Sequence, residues 1–262
     1  GTNLLLSLIK ASLHARVLDR LDVGFSLFWK HAPLDQVLAG RHDNKDNFRK
    51  VVAVAMVRNP LSLFTHYVGW SEKHMCGKTW PKVSGSMLSE HCGPFKPKVW
   101  SWDGDGQYRV EAADVAELWN ADTNAYLRLL PQMGFRHTLV LRFEDLLGNA
   151  TQAMGRVARL LDLPEPAGVR LPDGPQGPMT LHGRAPSLHE FQARTYLAQY
   201  DARTLAIACS RLDLGLMREL QYTDCDRVAP YRSKAVGHAR PCWTAAILCA
   251  AVFRALRAHS NS

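Results

Sequence analysis

Two kinds of hydrophobic pattern alternate along this chain. Leu4, Leu5, Leu8, Ile9, Leu13, Val17 and Leu21 recur at helical spacing, so residues 3 to 21 read as one amphipathic helix that lays its apolar stripe on a sheet. Val51-Val52-Ala53-Val54-Ala55-Met56-Val57 is instead a short unbroken apolar run, stopped by Arg58-Asn59-Pro60. A valine-rich run closed by a proline, which cannot continue a ladder, reads as a buried parallel strand. Thr138-Leu139-Val140-Leu141 is a second such run. It passes through Arg142-Phe143-Glu144-Asp145-Leu146-Leu147 into a helix carrying Met154, Val157, Leu160 and Leu161, which Pro164 ends. Between the two strands, Val115, Leu118, Trp119, Tyr126 and Leu129 mark the core face of a helix from Glu111 to Leu130. Alternating strand and helix predicts the α/β class, with a central parallel sheet flanked by helices.

Two stretches break the alternation. Residues 76 to 109 are dense in Gly, Pro, Ser and Trp, with Trp80, Trp100 and Trp102 among them. A loop of that length inside a compact domain is functional or disordered, and tryptophan faces suit a wall or lid over a flat acceptor; the alternative is a variable surface excursion. Residues 164 to 186 form a proline- and glycine-rich connection. No internal repeat is visible.

Composition narrows the class of partner. At 262 residues and 47% apolar, the chain can bury one sizeable core. A net charge of +8 and a pI near 9.3 favour an anionic partner. Nucleic acid is disfavoured, because no run of Lys and Arg is dense enough for a basic arm and the aromatics are not interleaved with basic residues. Cys76, Cys92, Cys209, Cys225, Cys242 and Cys249 lack the close paired spacing of a zinc site. Cys76 with Cys92, and Cys209 with Cys225, could each close a loop, as suits an oxidising compartment. Asn149-Ala150-Thr151 is a glycosylation sequon placed where a helix N-cap is expected.

The candidate chemistry lies where strands and helices meet. Gly1-Thr2-Asn3-Leu4 is a glycine turn with a hydroxyl opening a helix, and a helix N-terminus offers unpaired N–H groups and a positive dipole end to an anion. The same residues also make an ordinary N-cap. Arg58 follows the first strand at the carboxyl edge, where ligands bind in open α/β sheets, and its fork of donors matches phosphate. The alternative is a pair with a neighbouring carboxylate.

Taken in order, these segments resemble the sulfotransferases that use 3′-phosphoadenosine 5′-phosphosulfate (PAPS). Gly1-Thr2-Asn3-Leu4 is similar to the end of that family's 5′-phosphosulfate loop, and Val57-Arg58-Asn59-Pro60 to its 3′-phosphate segment. Arg142-Phe143-Glu144-Asp145-Leu146 resembles its later strand, and the stretch from Leu212 to Tyr222 its closing helix and turn. The resemblance covers residues 1 to 223, leaving 224–262 as a C-terminal tail, either a short helix or disordered. Its 12-residue apolar stretch, 242–253, is too short to span a bilayer, and no membrane anchor is visible. The resemblance implies a P-loop NTPase-like sulfotransferase fold, with the first strand and the loop lysine expected upstream of Gly1.

It further implies that Gly1, Thr2, Asn3 and Leu4 hold the phosphosulfate and that Arg58 holds the 3′-phosphate. His66 stands eight residues after Arg58, where the family has a serine. Phe143 stands where the family sets an aromatic against adenine, and Arg184, after Gly183, is similar to a late basic contact. Phe28-Trp29-Lys30-His31-Ala32-Pro33 resembles the segment that presents a catalytic histidine, so His31 is the candidate base for an acceptor hydroxyl or amine. Glu144 and Asp145 are expected to orient basic residues or cap the following helix. No metal is required. The acceptor, a carbohydrate among the candidates, is not specified by the sequence, and the cysteines and sequon turn the compartment toward the Golgi lumen over the cytoplasm. Two rivals stand beside this reading. One is a nucleotide-binding module without transferase activity. The other is a P-loop kinase, which would place Lys-Ser/Thr and not Thr-Asn after the glycine.

Overall fold

The computed structural model describes residues 2–15, 17, 33–39, 48–68, 80–95, 109–171 and 188–228. Strand β1 (Val52–Val57) runs parallel to β4 (His137–Arg142), in a register that pairs Val52 with His137 and Val57 with Arg142. Alternate side chains of β1 serve two different layers, as the two-residue period of a strand requires. Val54 and Met56, with Leu139 and Leu141 of β4, pack on helix α1 (Thr2–Leu13) and the helix α6 (Ala150–Leu160). Ala53 and Ala55 face the opposite layer, formed by α2 (Leu34–Ala39) and a 3₁₀ turn at Leu130–Met133. The architecture is therefore mixed α/β, with a small parallel sheet flanked by helices, as the alternating pattern predicts.

A third apolar cluster gathers beyond the carboxyl ends of the strands. It contains Val57, Leu61 and Phe64 of α3 (Pro60–Tyr67), and Val115, Leu118 and Trp119 of α4 (Val115–Arg128). Met217, Leu220 and Tyr222 join it from α9 (Leu214–Glu219) and the turn after it. Trp80, Met87, Leu88 and Cys92 are buried in the same cluster, so this part of the 76–109 stretch is core and not a solvent-facing wall. Trp100 and Trp102 lie outside the described residues. Cys92–Phe95 (β2) and Val110–Ala112 (β3) form a small antiparallel pair.

Local chemistry sets several boundaries where periodicity misplaces them. Helix α1 ends at Leu13, with His14 at a φ of 48°, so Val17 falls outside the helix the pattern predicts through residue 21. Helix α4 begins at Val115 and not at Glu111. Buried Asp114 is its N-cap, accepting from the N–H groups of Ala116 and Glu117 at 2.8 and 2.9 Å, and the residues before it pair as β3. The helix expected to run on from β4 is two: α5 (Phe143–Gly148) and α6, broken at Asn149. Helix α6 closes with Asp162 left-handed at φ 54° and Leu163 N–H donating to Ala158 C=O, a Schellman-type stop before Pro164. The last described helices are α7 (Leu188–Gln192), α8 (Ala202–Arg211) and α9, with a 3₁₀ turn at Thr195–Gln199.

Cys209 of α8 is disulfide-bonded to Cys225, one of the two pairings the spacing suggests. At a sequence separation of 16, the crosslink contributes on the order of 3 kcal/mol by the loop-closure argument. Cys92 is also disulfide-bonded, and Cys76 lies outside the described residues.

Packing of α2 on α4 brings Asp35 toward Asp122. Burial first, and Asp35 second, push the Asp122 carboxyl up to about 7. Tyr67 of α3 and Tyr126 of its own helix α4 interact with it and are themselves pushed up by burial. An aspartate in the unfolded chain titrates near about 4. Between those values the folded chain keeps a proton that the unfolded chain has released, so this group lowers stability as pH rises. Asp122→Asn is expected to raise the denaturation midpoint at about pH 8 and to flatten the fall in stability between pH 4 and 7, read by urea titrations across that range.

Candidate functional site

The parallel register brings the residues after each strand side by side. Because Val57 pairs with Arg142, Arg58 emerges beside Phe143, and its guanidinium lies over the Phe143 ring at 5.1 Å from the centroid. The Arg58 Nε and Nη2 both donate to Ser62 Oγ, at 3.1 and 2.8 Å. The Arg58 carbonyl accepts from the indole N–H of Trp119 at 3.0 Å. Among the described residues Arg58 makes no ion pair, and its Nη1 has no hydrogen-bond acceptor.

Glu144 is the carboxylate whose charge acts on it, and its two oxygens accept from other groups. Oε1 accepts from the backbone N–H of Asn59 at 2.9 Å, and Oε2 from the Tyr222 hydroxyl at 2.8 Å. Burial pushes the Glu144 carboxyl above its usual range, while those two hydrogen bonds and Arg58 pull it back. Burial likewise lowers the Arg58 guanidinium from its ordinary value, opposed chiefly by Glu144. Asp145 is tied to Arg142 by two hydrogen bonds, and Arg142 also donates to the Leu220 carbonyl at 2.8 Å. Asp145 thus orients a basic side chain, as the sequence suggests, whereas Glu144 holds a backbone amide and a phenol.

Asn59 fixes the geometry of the turn. Its side-chain oxygen accepts from Leu61 and Ser62 N–H at 3.0 and 3.2 Å, starting α3, with Pro60 at the first helical position. Its side-chain amide donates to Asp224 at 2.5 Å. Asp224 also accepts from the Tyr196 hydroxyl, at 3.2 Å to either oxygen, and faces Arg194 at 3.3 Å. Arg194 is half exposed, holds a left-handed φ of 53°, and reaches Thr223 Oγ1 at 3.3 Å.

The sequence-predicted residues fall into three groups. Arg58 and Phe143 are brought into contact. Phe143 is 3% exposed, so it is the shelf beneath the guanidinium. His66 is half-buried in the last turn of α3. It lies four residues after Ser62, so these two share one face of α3, while Arg58 precedes the helix. Thr2, Asn3 and Leu4 form the first turn of α1, and Leu4 packs with the sheet layer. Gly1, His31 and Arg184 lie outside the described residues. Ser62, Tyr222, Asp224, Tyr196 and Arg194 were not predicted. Ser62 alone carried a local signal, its four-residue spacing from Arg58.

The site's chemistry is that of a guanidinium at the carboxyl edge of β1 with donors left over after Ser62, a group suited to an oxyanion. Among the described residues no group of three or more His, Cys, Asp or Glu side chains is placed to hold a metal ion. Comparison with family models, curated proteins and solved structures finds no match to this chain.

Removing Glu144 tests how the turn is held. Glu144→Ala leaves the Asn59 N–H and the Tyr222 hydroxyl without their acceptor, an expected loss of roughly 1–3 kcal/mol for each buried group left unpaired. Glu144→Gln keeps an acceptor for Asn59 and offers Tyr222 a donor, so its loss in a urea titration is expected to be the smaller.

Proposed function

We propose that this chain is a PAPS-dependent sulfotransferase domain of P-loop NTPase-like fold whose 3′-phosphate subsite is built on Arg58. The observation that carries the reading is a half-buried arginine at the carboxyl edge of a parallel strand, stacked on an aromatic ring and free of a carboxylate partner among the described residues. A guanidinium without an ion-pair partner in a partly desolvated place favours an anion. Three of its five N–H donors remain after Ser62 takes two.

In this reading Arg58 grips the 3′-phosphate. Ser62 holds the guanidinium at the required angle, and His66 adds a donor from the same helix face. Thr2 and Asn3, with the first amides of α1, face the 5′-phosphosulfate at a helix N-terminus. The donor supplies the sulfuryl group. His31 takes the acceptor's proton, and Arg184 adds late positive charge. As in phosphoryl transfer, the protein's part is positioning and charge stabilisation. The Cys209–Cys225 disulfide favours an oxidising compartment and, with it, the Golgi lumen. The acceptor is an unidentified hydroxyl or amine.

Calorimetric titration of the chain with 3′-phosphoadenosine 5′-phosphate, against adenosine 5′-phosphate as control, tests the subsite. Tighter binding of the 3′-phosphorylated nucleotide is expected. In Arg58→Ala that preference weakens by about tenfold to a hundredfold, the worth of a hydrogen bond to a charged group. Equal affinity for both nucleotides, or no effect of Arg58→Ala, overturns the assignment.

Transfer itself rests on His31. His31→Ala is expected to lower turnover of an acceptor by about a hundredfold or more while leaving nucleotide affinity unchanged. Intact turnover in His31→Ala removes the histidine from the mechanism. Nucleotide binding by the wild type without turnover of any acceptor supports the non-catalytic module.

A further inference from the structure

We infer that Asn149 is an N-glycosylation acceptor. It belongs to the chain's only Asn-x-Ser/Thr triplet, Asn149-Ala150-Thr151, and it sits on the surface at the break between α5 and α6. Its backbone leaves helical geometry there, at φ −152° and ψ 77°.

The local hydrogen bonds decide which end of the side chain faces water. Asn149 caps α6 by accepting from the Gln152 N–H at 3.0 Å. Only the amide oxygen can accept, so Oδ1 is turned to the helix and Nδ2 away from it. The backbone N–H donates to Asp145 C=O at 2.9 Å, and the carbonyl accepts from Ala153 N–H at 3.0 Å. Every polar group of Asn149 is thus engaged except Nδ2, which has no partner among the described residues. Nδ2 is the atom that a glycan modifies.

The donor class is an oligosaccharide carried on a polyprenyl diphosphate. In the transfer the Nδ2–C1 bond forms and the C1–O bond to the diphosphate breaks. The polyprenyl diphosphate leaves with the electron pair, and one Nδ2 proton passes to a base of the transferring enzyme. One N–H remains on the linked nitrogen and Oδ1 is untouched, so the cap on Gln152 survives modification. Thr151, the third residue of the triplet, later accepts from Val169 N–H at 3.0 Å. That bond joins segments distant in sequence, so the hydroxyl is available to the transferring enzyme before the chain folds. The disulfides at Cys209–Cys225 and at Cys92 independently favour the compartment in which such transfer occurs. The inference does not depend on the sulfotransferase reading.

The test is to direct the full chain into the secretory pathway of animal cells behind a cleavable leader and treat the secreted protein with peptide N-glycosidase. One glycan is expected on the wild type, seen as a single step in mobility and as aspartate at position 149 in the released peptide. Thr151→Ser is expected to retain it. Asn149→Asp is expected to lack it while still folding, because aspartate caps a helix as well as asparagine does; Thr151→Ala is expected to lack it too. A wild-type chain secreted with its disulfide formed but unmodified at 149, or a mobility step that persists in Asn149→Asp, overturns the inference.

Discussion

Asn59 is 2% exposed and carries a backbone N–H, a side-chain carbonyl and a side-chain amide into the interior. Each would cost roughly 1–3 kcal/mol if buried without a partner, so the fold must bring partners to it. They come from three parts of the chain: the first turn of α3, Glu144 at the end of β4, and Asp224 beyond α9. One residue therefore ties the crossover after β1 to the start of α5, through its backbone N–H, and to the closing segment, through its side chain. Pro60 stiffens the same point, since its ring sets the helix's entry and has no N–H to satisfy. The position of Arg58 follows from this, because its neighbour in sequence cannot move without leaving several polar groups stranded.

The same network decides the charge at the strand edge. Two carboxylates lie near these arginines: Glu144 acts on Arg58 through its charge without an ion pair, and Asp224 pairs with Arg194. Glu144 accepts from an amide and a phenol, and Asp224 accepts from Asn59 and Tyr196 before it meets Arg194 at 3.3 Å. Buried Phe143 covers one side of the Arg58 guanidinium, which strengthens the electrostatic interactions it makes. Among the described residues no carboxylate forms an ion pair with Arg58, although the Glu144 charge still acts on its guanidinium.

This division explains what could be read from sequence. Both parallel strands were legible, since an unbroken apolar run needs only local context, and Arg58 and Phe143 were legible because they directly follow those strands. The early end of α1 and the break at Asn149 were not: an apolar stripe continues across each, and a left-handed residue or a competing side-chain cap is what stops the helix. Trp80 was misread for a related reason. A segment rich in turn residues looks solvent-facing, while burial in the cluster around Val57 and Trp119 is a tertiary fact. The partners of Asn59 stand 85 and 165 residues away. No periodicity spans such distances, so Tyr222 and Asp224 had no local signature.

The segment after α9 consequently belongs to the site's supporting structure through at least Val228, whatever follows it. Gln221 takes a left-handed φ of 59° and Tyr222 N–H bonds back to Met217 C=O at 2.7 Å, which ends α9 and swings the Tyr222 ring toward Glu144. Asp224 then meets Asn59, and the next residue, Cys225, is covalently held to α8. A hydrogen bond between segments so distant holds only if both are already near one another, and the disulfide supplies that nearness by removing the open-chain states in which Asp224 wanders. Arg194 can keep its strained backbone for the same reason, since Thr223 and Asp224 are fixed opposite it. The covalent link and the buried asparagine thus act on one chain segment from two sides, and the basic strand edge rests on both.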